Sequence, residues 1–509
     1  MKRPDVLLAS IALALALGLV APAAAGPPMP SFSAMKSYAI GKGSGAITLA
    51  DLNGDGKPDV AAPHSRDSTV SVTLNRGDGR FGAHVAHRTG THPASLAEGD
   101  LNGDGKPELV TANSSGSVSV LLNRGDGTFD PNRDYDSSGD SLAIADMNGD
   151  GRPDLVTTTA FTVSVLLNRG DGSYEGKHDY PIGGSDNLRA PEIADLNGDN
   201  RPDIVAAKEG GKSLSVLLND GNGGFGARRD FPTGDSYDAV ASRDLNGDGY
   251  PDLVAYSSGW GVSETYDASV FLNRRDASFA PRRKYDVVWR MVDIVDVNGD
   301  EAPDLVSEDW DVPPCDCEPV GFYVRLNRGD GSFRGMRFYR LRAFDTEETS
   351  QGRLADLNGD GKPELIVTHA SATEYPGAKC GRTYPLTTVS FNRGGRFQPQ
   401  VDYPTCGVTG IDVADVNGDG RRDVVTSGAS AISVLMNSPG LCNVQDVEGM
   451  SPAVAKRTLA RVHCRAGKVS RAYSKDVRRG RVISQKPAFG AVLPAGGKVR
   501  LVVSLGRKR

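Results

Sequence analysis

The chain has 509 residues, 62 of them Gly and 30 Pro, and only 38% are hydrophobic. That composition excludes a long-helix bundle and points to an all-β protein of many short strands joined by turns. The formal net charge of −6 is unevenly divided: residues 441–509 hold 16 Lys and Arg against Asp446, Glu448 and Asp476, a net of +13, and residues 1–25 add +1, which leaves −20 for the body between them.

Residues 1–25 have the layout of an export signal: Lys2 and Arg3, an apolar run from Val6 to Val20, and Ala23-Ala24-Ala25 as a small-residue cleavage site. No later stretch has the roughly 20 apolar residues of a membrane span. An exported, soluble protein without a membrane span is expected, in a compartment where its six cysteines can pair.

Residues 26–440 are built on one repeat. The motif Asp-x-Asn-Gly-Asp-x-x-x-Asp/Glu begins at Asp51, Asp100, Asp146, Asp195, Asp244, Asp296, Asp356 and Asp415, at intervals of 49, 46, 49, 49, 52, 60 and 59 residues. Such a period belongs to propellers and solenoids. Pro at the eighth position, as in Pro58 and Pro153, starts a short apolar strand. A second strand, such as Val163 to Leu167, ends at Asn-Arg-Gly-Asp-Gly, whose glycines suit a hairpin turn. Two aromatics six residues apart follow, as in Phe129/Tyr135 and Tyr174/Tyr180, with His87 in the second place after Phe81. Even spacing predicts both on one strand face. A further strand then leads into the next motif.

One aromatic strand, Phe32 to Tyr38, precedes the first motif, and the last repeat stops at Met436-Asn437 without one. The N-terminal strand can therefore complete the last unit and close a ring. Eight blades of four strands are predicted, with seven blades and a displaced unit as the competing arrangement. From 32 to 437 the chain resembles the FG-GAP/VCBS repeat family, whose propellers include the integrin α-subunit head. The resemblance implies calcium in the Asp loops and does not fix a function.

The loop chemistry independently favours Ca²⁺. A hard cation takes six to eight oxygens, and side chains at positions 1, 3 and 5 of a tight loop can converge on one centre, with a carbonyl from position 7 and a carboxylate from position 9. The candidate sets are Asp51, Asn53, Asp55, Lys57 and Asp59; Asp100, Asn102, Asp104, Lys106 and Glu108; Asp146, Asn148, Asp150, Arg152 and Asp154; and Asp195, Asn197, Asp199, Arg201 and Asp203. The next four are Asp244, Asn246, Asp248, Tyr250 and Asp252; Asp296, Asn298, Asp300, Ala302 and Asp304; Asp356, Asn358, Asp360, Lys362 and Glu364; and Asp415, Asn417, Asp419, Arg421 and Asp423. Glu301 at position 6 and Arg422 at position 8 are departures from the repeat. Carboxylates so close repel without a cation, whereas ordinary turn formation is the competing explanation. The Arg-Gly-Asp triplets, such as Arg76-Gly77-Asp78, fall in the hairpin turn and are assigned to its geometry.

From Cys442 a new pattern begins. Ser451-Pro452 starts a helix running to Val462, Cys464 follows, and strand-like segments cover Gly480 to Pro487 and Val499 to Ser504. Residues 441–509 resemble a PASTA domain, a small α+β module of bacterial wall-sensing kinases and penicillin-binding proteins, and this implies contact with cell-wall polymer. Cys442 and Cys464 flank the helix and are the expected disulfide. A net charge of +13 favours polyanions, and export favours the wall over nucleic acid.

No catalytic constellation is legible: the seven histidines are scattered, and there is no Gly-x-Ser-x-Gly elbow or Cys-x-x-Cys pair. The function expected is a non-catalytic binding or adhesion module for glycan, cell-wall or protein ligands. A calcium-dependent polysaccharide lyase is the alternative. The longer intervals after Asp244, Asp296 and Asp356 mark insertions, and Trp260, Tyr266, Trp289, Trp310, Tyr375 and Tyr384 fall within or beside them as ligand candidates. Cys315, Cys317, Cys380 and Cys406 lie in the same region, with Cys380 to Cys406 the favoured pairing.

Overall fold

The computed structural model describes residues 30–508 except 43–44, 138, 140, 159–160, 183–190, 208–211, 238, 257–266, 287–289, 310–320, 342–350, 370–384, 399, 407–408 and 429. The export signal, the six aromatic ligand candidates, Cys315, Cys317 and Cys380 lie outside the described residues.

Eight four-stranded antiparallel sheets follow one another along the chain, each holding one repeat. The first is typical, with strands Thr48–Ala50, Asp59–His64, Thr69–Thr73 and Val85–Arg88. The Asp motif joins its first and second strands and the Arg-Gly-Asp turn joins its third and fourth. Burial is graded across the sheet: the second strand is buried throughout, whereas the fourth is mostly exposed. Strands covered on both faces become continuous apolar runs, which is why Leu109-Val110 and Leu155-Val156 do not alternate.

The eighth sheet has the order predicted for a chain that returns to its start. Lys36–Ala39 pairs antiparallel with Ala431–Leu435, with Tyr38 opposite Ile432, so the N-terminal strand supplies the fourth strand beside the last repeat.

Two side-chain ladders tie each sheet to the preceding one. The Asn ending each third strand donates from its Nδ2 to a backbone carbonyl in the preceding sheet: Asn123 to Leu52 at 3.0 Å, Asn168 to Leu101 at 2.7 Å, Asn219 to Met147 at 2.8 Å and Asn273 to Leu196 at 2.7 Å. The series continues with Asn327 to Leu245, Asn392 to Val297 and Asn437 to Leu357. Asn75 of the first sheet reaches Val416 of the last at 2.8 Å, so the series is cyclic.

Aromatic rings form the second ladder, and here the structure corrects the expectation of a shared strand face. Phe81 makes only an isolated bridge with Asn75, and the Gly82 N–H turns back to the Leu74 carbonyl before the fourth strand starts at Val85. This jog separates the two rings of a repeat, and each meets a ring of a neighbouring sheet edge-on: Tyr38 with Phe81, His87 with Phe129, Tyr135 with Tyr174, and onward to Tyr403 with Phe32. The turn glycines complete this contact. A Cβ on Gly127, whose φ is +79°, would sit 2.7 Å from Leu74 of the preceding sheet.

The C-terminal unit has one helix, Pro452–Arg461, capped by Ser451, which accepts from the Val454 N–H with Pro452 in the first turn. Its main sheet places Lys498–Ser504 between a parallel Arg465–Ala472 and an antiparallel Val482–Lys486. Cys442 and Cys464 are disulfide-bonded, as expected. Cys406 is also disulfide-bonded, to a partner outside the described residues.

This unit packs on the repeat body. Asn443 exchanges two hydrogen bonds with the backbone of Phe32, and the Gln445 carboxamide accepts from the Asp402 N–H at 3.0 Å while donating to its carbonyl at 3.1 Å. The fourth strand of sheet seven, Val401–Pro404, is therefore mostly buried where its counterparts are exposed. One apolar cluster runs from Val389 and Tyr403 through Val444 to Leu459 and Leu501.

Candidate functional site

Seven of the eight Asp loops share one hydrogen-bond plan, which the first illustrates. Asp51 Oδ1 accepts from the N–H groups of Gly54 and Asp55, and its Oδ2 from Gly56 at 2.7 Å. Asn53 Oδ1 accepts from the Asp55 N–H, and Asp55 Oδ1 from the Lys57 N–H. Asp59 is fully buried, its two oxygens accepting from the N–H groups of Leu52 and Asn75. Position 1 thus closes the loop, and position 9 joins it to the end of the third strand.

The Arg422 loop keeps this plan, whereas the Glu301 loop keeps its closure on position 1 without the Asp300 N–H bonds to Asp296 and Asn298 that the other loops make. Glu301 adopts φ +66° and its N–H still reaches Asp296 Oδ2 at 2.7 Å. Arg422 leaves Asp423 holding the Val416 and Asn437 N–H groups.

Burial is the first cause that pushes the position-9 carboxyls up, to about 6 at Asp59, Asp154, Asp203 and Asp252, about 7 at Asp304 and Asp423, and about 8 at Glu364. Backbone N–H bonds pull them down, and the carboxylates at positions 5 and 1 push them up again. Position 5 has its own relief. Asp55 pairs with Lys57 and Asp104 with Lys106, each at 3.2 Å. Where position 7 is Tyr250, Arg275 reaches Asp248 at 3.2 Å from the hairpin turn.

Three carboxylates, an Asn oxygen and a backbone carbonyl per loop form an all-oxygen donor set that fits a hard cation. Among the described residues no three His, Cys, Asp or Glu side chains converge on one point. The loops are drawn closed on their own amides, so a cation would share the position-1 and position-5 oxygens with those N–H groups. The repulsion expected from sequence is correspondingly smaller than a bare count of carboxylates suggests.

The hairpin turns have the geometric role assigned to them. Arg76 N–H bonds the Arg80 carbonyl, and the Asp78 carboxylate caps the Arg80 N–H. The Asn ladder is what sequence reading missed. Its signal was present: the same Asn recurs at the end of all eight third strands, more regularly than a turn alone requires.

On the C-terminal unit, all 15 described Lys and Arg from Lys456 to Lys508 are exposed, and none joins an ion pair within 4 Å. Tyr473, 58% exposed, and Val469 sit among Lys468, Arg471 and Lys475. His64 Nε2 lies 2.7 Å from Ser71 Oγ, but both are buried, so this His-Ser pair has no open face for a substrate.

A family model described as an FG-GAP-like repeat matches residues 51–111, 100–157, 146–206, 195–255, 296–367 and 356–426, which together take in all eight Asp motifs. The chain belongs to the FG-GAP-like repeat family. A PASTA domain model matches residues 443–505, so the basic unit docked on the FG-GAP body is a PASTA domain. Among solved structures, the Saccharomyces cerevisiae protein Sqt1 is similar at 12% identity and a TM-score of 0.50, over 79% of this chain and 100% of that one. An Agrocybe aegerita lectin that recognises non-reducing terminal N-acetylglucosamine aligns at 20% identity and 0.40, over 58% and 80%. The V. cholerae biofilm matrix protein Bap1 aligns at 13% and 0.34, over 81% and 91%. The likeness to Sqt1, at 12% identity, is one of fold alone. No helix of the described residues is long and apolar enough to cross a membrane.

Proposed function

We propose that this chain is an exported, calcium-binding propeller of eight blades that acts without catalysis as a binding or adhesion module, held on a polyanionic cell-wall polymer by its PASTA domain. The observation that carries the reading is the exposed, unpaired basic surface of the PASTA domain, fixed to the acidic FG-GAP body by the Asn443 and Gln445 contacts. Unpaired surface cations attract a polyanion at long range and at low desolvation cost. The cyclic Asn and aromatic ladders and the N-terminal strand support a closed ring of eight. The oxygen-rich loops support calcium. The ligand face is assigned to the insertions carrying Trp260 and Trp310, with Trp289 beside them in the chain.

The test is sedimentation of the exported protein with purified wall, for wild type and for Arg471→Glu/Arg478→Glu/Arg479→Glu. Deleting the domain is a poorer test, because it would uncover the buried strand Val401–Pro404. Loss of sedimentation in the triple variant, and for wild type at high salt, is expected; equal sedimentation of the two proteins would reject wall attachment through this surface. For the metal, millimolar calcium against excess chelator should raise the melting temperature, and superimposable melts would reject a structural calcium.

A further inference from the structure

Sheet six departs from the other seven on its outer half, formed by strands Gly321–Arg325 and Arg337–Arg340. The third strands of the other seven sheets all carry a Ser or Thr at one fixed place opposite the fourth strand. In sheets two, three and four its hydroxyl donates to the Asp across from it, Ser119 to Asp134 at 2.6 Å, Ser164 to Asp179 at 2.6 Å and Ser215 to Asp230 at 2.7 Å. Sheet six has Tyr323 opposite Phe338 instead, their rings 4.8 Å apart and tilted by 45°. The strand makes room for this exchange. Gly321 stands where the other third strands begin with a side chain, and a Cβ on it would clash with the Phe338 ring. Gly321 pairs directly with Arg340, so the ring lies across the strand in the space beside Arg340.

The charge of the same edge departs with it. From the ladder Asn through the fourth strand, residues 327–340 of sheet six hold four cations against one anion and residues 273–286 of sheet five hold five against two, a net of +3 each. The matching segments of sheets two, three and four, residues 123–136, 168–181 and 219–232, come to −2, −1 and 0. In sheet five the excess is partly answered within the fold, since Lys284 pairs with Asp235 and Asp267, and Arg282 with Asp235. In sheet six it is not. Arg334, Arg337 and Arg340 are exposed, and none makes an ion pair among the described residues. Arg325 bonds the Asp286 carbonyl of sheet five at 2.7 Å and the Arg334 carbonyl at 3.1 Å, which fixes the Arg334 backbone beside the same edge.

We propose that the outer edge of sheet six binds a linear acidic polysaccharide: the Tyr323–Phe338 pair takes the apolar face of a sugar ring, and Arg334, Arg337 and Arg340 take carboxylate or sulfate groups of the chain. A neutral sugar would leave the three cations unanswered, and a bare anion would not use the rings. An acidic peptide added along the strand edge would be read by backbone groups that every fourth strand has, so it does not account for departures confined to sheet six. The bases of a single-stranded nucleic acid stack on rings that present a whole plane, whereas both rings here are half-buried and one lies across its strand. The site shares no residue with the Asp loops or with the PASTA surface, so it stands apart from the wall attachment proposed above.

The test uses the full exported chain carrying Arg471→Glu/Arg478→Glu/Arg479→Glu, which weakens the PASTA surface and so separates this site from wall attachment. It is titrated calorimetrically, at fixed calcium, with a hyaluronate oligosaccharide for carboxylate and a heparin oligosaccharide for sulfate. Saturable binding of at least one is expected, with dextran, poly-L-glutamate and single-stranded DNA each at least tenfold weaker. In that parent, Tyr323→Ser/Phe338→Asp gives sheet six the pair that sheets two to four have, and Arg334→Gln/Arg340→Gln removes two exposed charges. Each should weaken the acidic oligosaccharide at least about tenfold, the size of a lost charge-assisted hydrogen bond. The melting temperature of the arginine variant should not change, which a merely structural role of these side chains would not produce together with lost binding. If the aromatic variant fails to fold, the arginine variant carries the same expectation. No saturable binding of either oligosaccharide, equal binding of dextran, poly-L-glutamate or DNA, or folded variants that bind as their parent does would overturn the assignment.

Discussion

Asn75→Ala tests whether the eight sheets close on themselves. The wild-type side chain donates to Val416 O at 2.8 Å and Pro58 O at 3.1 Å, and accepts from the Gly77 N–H at 2.9 Å. Alanine removes all three bonds and strands the buried groups, at about 1 kcal/mol each, so a loss of ~3 kcal/mol is expected. For a repeat body of roughly 400 residues unfolding as one unit, an entropy near 2 cal/mol/K per residue converts this to about 4 °C in Tm. Asn219→Ala is the internal standard, since it makes the same three bonds to Met147, Pro202 and Gly221 within the uninterrupted series. In a closed ring both variants lose the same amount, measured by far-ultraviolet circular dichroism in urea and on heating. If Asn75→Ala loses about 1 kcal/mol less than Asn219→Ala, the one bond that crosses to Val416 is not made and the first and last sheets are not joined. Seven blades with a displaced unit would then be the better description.

Gly103→Ala meets no neighbour and should cost only the left-handed strain of about 1–2 kcal/mol, whereas Gly127→Ala adds a clash with Leu74 and should cost roughly twice that in the same urea assay. Burial pushes the His369 imidazole down to about 3, so it stays neutral in the fold while an unfolded histidine protonates near 6.5. Its stabilising effect is complete above about pH 6.5 and is lost as the pH falls toward 3; relative to wild type, His369→Gln should gain ~2 kcal/mol between pH 7 and pH 5, and parallel pH profiles would refute this. Carboxyl contributions common to both proteins cancel in that difference. Reducing Cys442–Cys464, which closes a separation of 22 residues, should destabilise the PASTA domain by ~3 kcal/mol, seen as an earlier calorimetric transition with reductant.

The fold was legible because the repeat states its own rules eight times. The position of Phe32 to Tyr38 ahead of the first Asp motif was enough to predict the pairing with Ala431–Leu435, since a ring-forming chain that begins with its fourth strand must end with its third. Ser451-Pro452 marked the PASTA helix to the residue. The parallel strand Arg465–Ala472 was not legible: Ala-Gly-Lys-Val-Ser-Arg alternates no apolar face, and its partner Lys498–Ser504 supplies most of the buried side chains. The aromatic pairs misled for a physical reason. Spacing along one strand says which face a ring is on only if the strand is continuous, and the Gly82 turn-back breaks it. Docking through Gln445 left no sequence signal, because one carboxamide on one backbone amide has no period.

In the Asp loops the same residue type does two separable jobs, and this bears on how calcium dependence should appear. Position 9 is committed to the fold: Asp203 binds the Leu196 and Asn219 N–H groups, and Asn219 in turn grips Met147 of the preceding sheet. At Asp195 and Asp199, positions 1 and 5, the carboxylates are bound only to their own loop, position 1 half-buried and position 5 exposed. A cation drawn to these oxygens would also lie against the buried carboxylate and lower the cost of its charge, which at Asp203 burial has raised. Binding energy gained in the loop would therefore reach the contact between sheets through a single side chain. Asp199→Asn should then lessen the calcium response of the melting temperature and leave the metal-free protein nearly unchanged, whereas Asp203→Asn should destabilise the protein with or without calcium. Equal behaviour of the two variants in calcium-free melts would show that the two jobs are not divided in this way.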